Sequence, residues 1–137
     1  MRLFNVYGRL VHKNVTKFKM DWDKKSRSKI QFKVKQFLKP YWCGHVVFEE
    51  FPVYGTRLKV DILNATRKIA VEVQGQQHET LNPFFHQNRA NFLKSIKRDV
   101  KKFEWLELNE FQVIEINYDE VEALDKNFFE SKYNCKL

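Results

Sequence analysis

The chain has 137 residues, 43% of them hydrophobic and 15% aromatic, with a formal net charge of +8. That length suits one domain around a single core, and that composition excludes a disordered polymer. No apolar run approaches the roughly 18 residues of a membrane span, and the start MRLFNVYGRLVHK has no apolar signal core, so the expectation is a cytoplasmic protein without a membrane partner.

Residues 1–25 are basic and irregular, and read as an N-terminal arm or hairpin ahead of a domain spanning 26–137. Residues 1–42 hold twelve Lys or Arg against Asp21 and Asp23, whereas residues 104–137 hold nine acids against three Lys. So concentrated a charge favours a polyanion partner, and nucleic acid first among polyanions. The segment SRSKIQFKVKQFLKPYW predicts a helix from Ser28 to Lys39, capped by Ser26 or Ser28 and ended by Pro40. Ile30, Val34, Phe37 and Leu38 form its apolar stripe, with Lys29, Lys33 and Lys35 off it. Gln31 borders that stripe. Cys43 and Cys135 make no disulfide framework; Cys43 is expected half-buried and His45 on the surface.

HVVFEEF (45–51), TRLKVDIL (56–63) and IAVEVQG (69–75) predict three strands in a meander. Strict alternation puts Leu58, Val60 and Ile62 on one face and Arg57, Lys59 and Asp61 on the other; Ile69, Val71 and Val73 likewise oppose Ala70, Glu72 and Gln74. A long helix is expected over 86–107, with Phe92, Ile96, Val100 and Phe103 at the 3.6 period. FQVIEI (111–116) predicts a further strand, and DEVEALDKNFFESKY (119–133) a final amphipathic helix. A meander followed by a helical crossover implies an α/β fold, a mixed sheet with helices on both sides.

Asp61 and Glu72 fall on neighbouring strands, and adjacent strands lie about 5 Å apart, so the two carboxylates can converge on one ion. Hard divalent ions take such oxygen ligands together with phosphate oxygens. An exposed sheet face with ordinary charges would give the same spacing. Asp99 lies within the apolar sector of the long helix, where an acid is costly unless paired or used. His78 follows the Glu72 strand by a short turn, and its ordinary pKa suits proton transfer near neutrality.

VDILNATRKIAVEVQGQQHE, followed by a helix with RDVKKFEWLELNEFQVIEI, resembles the PD-(D/E)xK nuclease superfamily over about residues 26 to 120. Within it, GQQH and the helix Asp resemble the branch of very-short-patch repair endonucleases and related phage homing nucleases. The resemblance implies a restriction-endonuclease-like core and a cytoplasmic enzyme, in the phage case acting in the host. It implies Asp61 and Glu72 as the motif acids, Gln74 in the place of the motif Lys, His78 as a base with Asp99 behind it, and Gln31 where a helix Glu often stands. It also implies Mg²⁺, with Mn²⁺ as a substitute, on Asp61, Glu72 and the Val73 carbonyl.

The expected activity is therefore a metal-dependent DNA endonuclease or nickase, with Arg57, Lys59, Arg89, Lys94, Lys97, Arg98 and the basic N-terminal arm on phosphates. Phe84, Phe85 and Trp42 are either core or stacking platforms for an unpaired base. A junction resolvase and a non-catalytic DNA-binding module stand as alternatives. Cutting both strands would call for a homodimer or two visits by one site.

Overall fold

The computed structural model describes residues 1–75 and 100–137. A two-stranded antiparallel hairpin, β1 (Arg2–Phe4) and β2 (Leu10–His12), is followed by a 3-10 turn at Thr16–Phe18. Then come α1 (Lys29–Trp42), β3 (Val47–Pro52), β4 (Lys59–Asn64) and β5 (Ile69–Gln74). Residues 100–108 are helical (α2), and β6 (Gln112–Asn117), a 3-10 segment (Tyr118–Ala123) and α3 (Lys126–Tyr133) complete the described chain. The long strands make one sheet in the order β3-β4-β5-β6, antiparallel except for the parallel β5–β6 pair. The fold is thus α/β, with the mixed four-stranded sheet that the order of elements predicts.

Two apolar clusters cover the two sheet faces. Val34, Leu38 and Trp42 of α1 and Phe129 of α3 pack on Val47, Ile62, Ile69, Val71, Ile114 and Ile116. Trp105 and Leu106 of α2 and Leu3 of the hairpin pack on Phe48, Leu63 and Ala70. Helices on both faces explain why β5 reads as a nearly continuous apolar run. The hairpin shares this second cluster: Trp105 Nε1–H donates to the Phe4 carbonyl at 2.6 Å, and Tyr54 Oη–H to the Met1 carbonyl at 2.8 Å.

The alternation expected for residues 56–63 fails at one point. Ile62 faces α1, whereas Leu58 and Val60 belong to the opposite cluster with Leu63. The cause lies on the neighbouring strand. Glu49 pairs with Ile62 and Phe51 with Val60, but Glu50, opposite Asp61, adopts a left-handed φ of 53°. The local kink turns Phe51 to the same face as Phe48, and Val60 follows its partner. A non-glycine residue in this region costs of order 1–3 kcal/mol and is held there only by its surroundings.

Helix α1 starts as expected, with Ser28 Oγ accepting the Gln31 N–H at 3.2 Å. It does not stop at Pro40 but runs on to Trp42. A proline inside a helix forfeits one N–H bond. Here the last turn is still closed by the Cys43 N–H to the Lys39 carbonyl, and full burial of Trp42 favours keeping it. Trp42 is therefore core and not a stacking platform. Lys35, expected off the apolar stripe, is fully buried because an acid, Glu49, waits for it on β3. Cys43 is exposed, and His45 is half-buried with its Nδ1 3.0 Å from Asn64 Nδ2.

Helix α2 turns a different sector inward from the one expected. Val100 is 49% exposed, while Lys102, Trp105, Leu106 and Asn109, at the i, i+3, i+4, i+7 spacing, are sheltered or buried. The helix ends in a Schellman-type turn: Glu110 has φ 65°, and the Phe111 N–H reaches the Leu106 carbonyl at 2.9 Å. The expected final helix is split. Asp125 is extended and caps α3 by accepting the Phe128 N–H at 2.7 Å, so the preceding residues form a separate 3-10 segment.

Candidate metal and phosphate site

The β4–β5 ladder runs from Asn64↔Ile69 to Ile62↔Val71, and the next facing pair is Asp61 and Glu72. Here side chains replace backbone partners. The Asp61 N–H donates to Glu72 Oε2 at 3.3 Å, and the Val73 N–H donates to Asp61 Oδ2 at 2.8 Å. Each carboxylate is thus fastened through one oxygen to the opposite strand, and each keeps its second oxygen for other contacts. Asp61 Oδ1 lies 3.6 Å from an Arg27 guanidinium nitrogen. Glu72 Oε1 lies 2.6 Å from Lys102 Nζ, a buried ion pair that tethers the carboxylate to α2.

Both acids are buried, Asp61 5% and Glu72 3% exposed. They border an open pocket of about 440 Å³ that also contains Val73, Gln74 and four cations: Arg27, Arg57, Lys59 and Lys102. Burial, with the adjacent Asp61 charge, pushes the Glu72 carboxyl up to about 8, against the opposing pull of Lys102. Glu72 therefore holds its proton near neutral pH.

Of the residues expected from sequence, Asp61, Glu72, Val73, Gln74, Arg57 and Lys59 line this one pocket. His78, Asp99, Arg89, Lys94, Lys97, Arg98, Phe84 and Phe85 lie outside the described residues. Gln31 does not reach the two acids. It is 1% exposed, and its amide donates to Glu49 Oε2 at 3.1 Å and to Glu50 Oε1 at 3.2 Å. Its observed work is to fasten β3 beside the site, at the kink opposite Asp61.

Arg27, Lys102, Glu49 and Glu50 were not expected from the sequence. Lys102 had a legible signal, since a stripe read through Trp105, Leu106 and Asn109 begins at position 102. Arg27 had none: it precedes α1 and reaches Asp61 only because the chain before that helix folds back along β3 and β4. Among the described residues no group of three or more His, Cys, Asp or Glu side chains could hold a metal. The donor set there is a pair of carboxylates, with phosphate and water left to complete any coordination shell. Nor is any helix among the described residues long and apolar enough to cross a membrane.

No family model and no solved structure matches the chain. "Uncharacterized protein 033L" of Invertebrate iridescent virus 3 is 32% identical over 82 residues, covering 60% of this chain and 42% of that relative. The chain thus matches less than half the length of the viral protein.

Proposed function

We propose that the chain is a divalent-metal-dependent DNA endonuclease or nickase, on a restriction-endonuclease-like version of the mixed sheet. The observation that carries this reading is the pair of cross-fastened carboxylates. Each is anchored by one oxygen to the neighbouring strand and offers the other near a cation-lined pocket. Preorganised hard oxygens suit Mg²⁺ or Mn²⁺. When bound, such an ion lowers the pKa of water and shields charge developing on phosphorus.

The chain's own residues supply the rest. Asp61 and Glu72 orient the ion, and the Val73 carbonyl is the candidate third protein donor. Arg57 and Lys59 neutralise phosphate oxygens at the mouth of the pocket. Gln74, in the place of the motif Lys, orients water or a phosphate oxygen but brings no charge. Lys102 supplies that charge from α2, next to Glu72. His78 and Asp99 keep the proton-transfer role implied by the resemblance. The viral relative carries no function in its name and adds none.

A second reading has an observation in its favour. Arg27 and Lys102 stand beside the two acids and offset their charge, which suits a DNA-binding module that has given up chemistry. One experiment separates the two. Supercoiled plasmid and branched DNA are incubated with the protein in Mg²⁺ or Mn²⁺, next to the isosteric variants Asp61→Asn and Glu72→Gln. Cleavage by the parent and a loss of at least ~100-fold in both variants is expected, as for removal of a group that acts on the transition state. Intact DNA in every lane, with binding retained, would leave the binding module. Preference for branched over linear DNA would select a junction resolvase.

A further inference from the structure

A second open groove, about 500 Å³, lies beside the carboxylate pocket. Its cations are Lys17, Lys19, Lys24, Lys25, Arg27 and Lys59. Arg27 and Lys59 line both spaces, so the two form one continuous path. Among the described residues, Lys17, Lys19, Lys24, Lys25 and Lys59 make no ion pair. Of the three acids of the groove, Asp21 is exposed and accepts the Asp23 N–H at 3.1 Å, and the other two are matched. Glu49 is matched by the buried Lys35 at 3.0 Å, and Glu50 is held by Gln31 with Arg27 4.0 Å away.

The wall that carries these cations is irregular chain, yet it is fastened along its length. Gln36 Nε2–H donates to the Trp22 carbonyl at 2.6 Å, Lys39 pairs with Asp23 at 2.7 Å, and Lys35 Nζ–H donates to the Lys24 carbonyl at 2.7 Å. Ser26 Oγ–H then donates to Glu49 Oε2 at 2.6 Å. At the centre of this strap stands the Lys35–Glu49 pair, with the Lys35 side chain fully buried. A buried ion pair rarely adds net stability, because desolvation offsets the attraction. What it does here is fix the backbone of residues 22–28, so that Lys24, Lys25 and Arg27 project into the groove in advance of any ligand.

We propose that this second groove is a track for the sugar-phosphate backbone of the same nucleic acid whose phosphodiester enters the carboxylate pocket, held in shape by the buried Lys35–Glu49 pair. The inference rests on the proposed function for the identity of the polyanion. A nucleic-acid backbone fits the concave, polar walls, and the path ends where phosphate chemistry would occur. An anionic bilayer presents a flat surface and gains most from apolar insertion, which this polar-walled groove does not provide. The basic residues of the hairpin, Arg2, Arg9 and Lys13, line neither space. The track is therefore a particular part of the basic N-terminal region.

The test measures binding of the full chain to a labelled DNA duplex in EDTA, from 50 to 200 mM salt. Three proteins are compared: the parent, a fourfold variant (Lys17→Gln, Lys19→Gln, Lys24→Gln, Lys25→Gln) and a threefold comparison variant (Arg2→Gln, Arg9→Gln, Lys13→Gln). Each phosphate contact contributes a slope of about 0.9 in log affinity against log salt, so the fourfold variant should lose roughly 3 to 4 slope units. Over this fourfold salt range that is a difference of roughly 100-fold between parent and variant responses. The threefold variant should keep a slope within about 1 of the parent. Equal losses in both variants, or none in the fourfold one, overturn the track. So does parent binding to phosphatidylserine vesicles with none to DNA.

The positioning role is read separately, in a double variant Lys35→Met, Glu49→Met, which keeps every groove cation. Weaker DNA binding at an unchanged melting temperature is expected, and unchanged affinity overturns that role. Because all binding is measured in EDTA, failure of the parent to cleave DNA would remove the nuclease reading and leave the track standing. Unchanged binding in the fourfold variant would do the reverse.

Discussion

Replacing Glu72 by Gln tests the electrostatics of the site without assuming any metal. The carboxyl, 3% exposed and beside Asp61, titrates near 8 in the native chain, against an ordinary value of 4.5. Between those values the native state holds about one more proton than the unfolded chain. Stability must then fall as pH rises, by at most ~1.4 kcal/mol per pH unit. The contribution is fully present below 4.5 and is gone above about 8. Asp23 and Glu120 are both held low, and are ionised in native and unfolded chains alike above about pH 5.5, so they add no slope there. The Gln variant cannot titrate, while its side-chain oxygen can still accept the Asp61 N–H. Urea unfolding of both proteins from pH 5.5 to 7.5 should show the parent losing roughly 2 kcal/mol relative to the variant over that range. Parallel pH profiles would refute the buried, protonated Glu72.

Mg²⁺ at a hundredfold excess over its Kd should stabilise the parent by about 2 to 3 kcal/mol by mass action, visible as a rise in Tm. That rise should be larger at pH 8 than at pH 6, because the Glu72 proton competes, and should vanish in Asp61→Asn; an equal rise in the variant would place the ion elsewhere. Lys102→Met removes the charge that opposes the upward shift of Glu72, so the pH-dependent loss of stability should extend above pH 8 and cleavage at pH 7 should fall at least tenfold. Unchanged cleavage would confine Lys102 to a structural role. Ser28→Ala should cost about 1 kcal/mol of stability through the lost cap of α1, read from the urea midpoint at an unchanged m-value.

The sequence by itself determined the order of the described strands, the mixed sheet they form, the cap of α1 and the alternation of β5. These depend on period, turn chemistry and short-range hydrogen bonds, which a single segment carries. It also placed Asp61 and Glu72 on adjacent strands, where the register makes them facing neighbours. Only the tertiary structure decided what surrounds them. The kink at Glu50 exists because β3 meets Asp61, Gln31 and Arg27 at one point, and no local pattern encodes that meeting. Lys35 reads as a surface lysine until Glu49 faces it across the α1–sheet interface. Trp42 stays helical beyond Pro40 because the core that buries it outweighs one missing hydrogen bond. Lys102 turns inward because the packed end of α2 chose the Trp105–Leu106 sector over the Val100 sector. The positive charge beside Glu72 thus arrives from a helix about 30 residues later in the chain. A strand pattern fixes which face a residue takes, whereas the charge of a site is set by whichever elements the core brings against it.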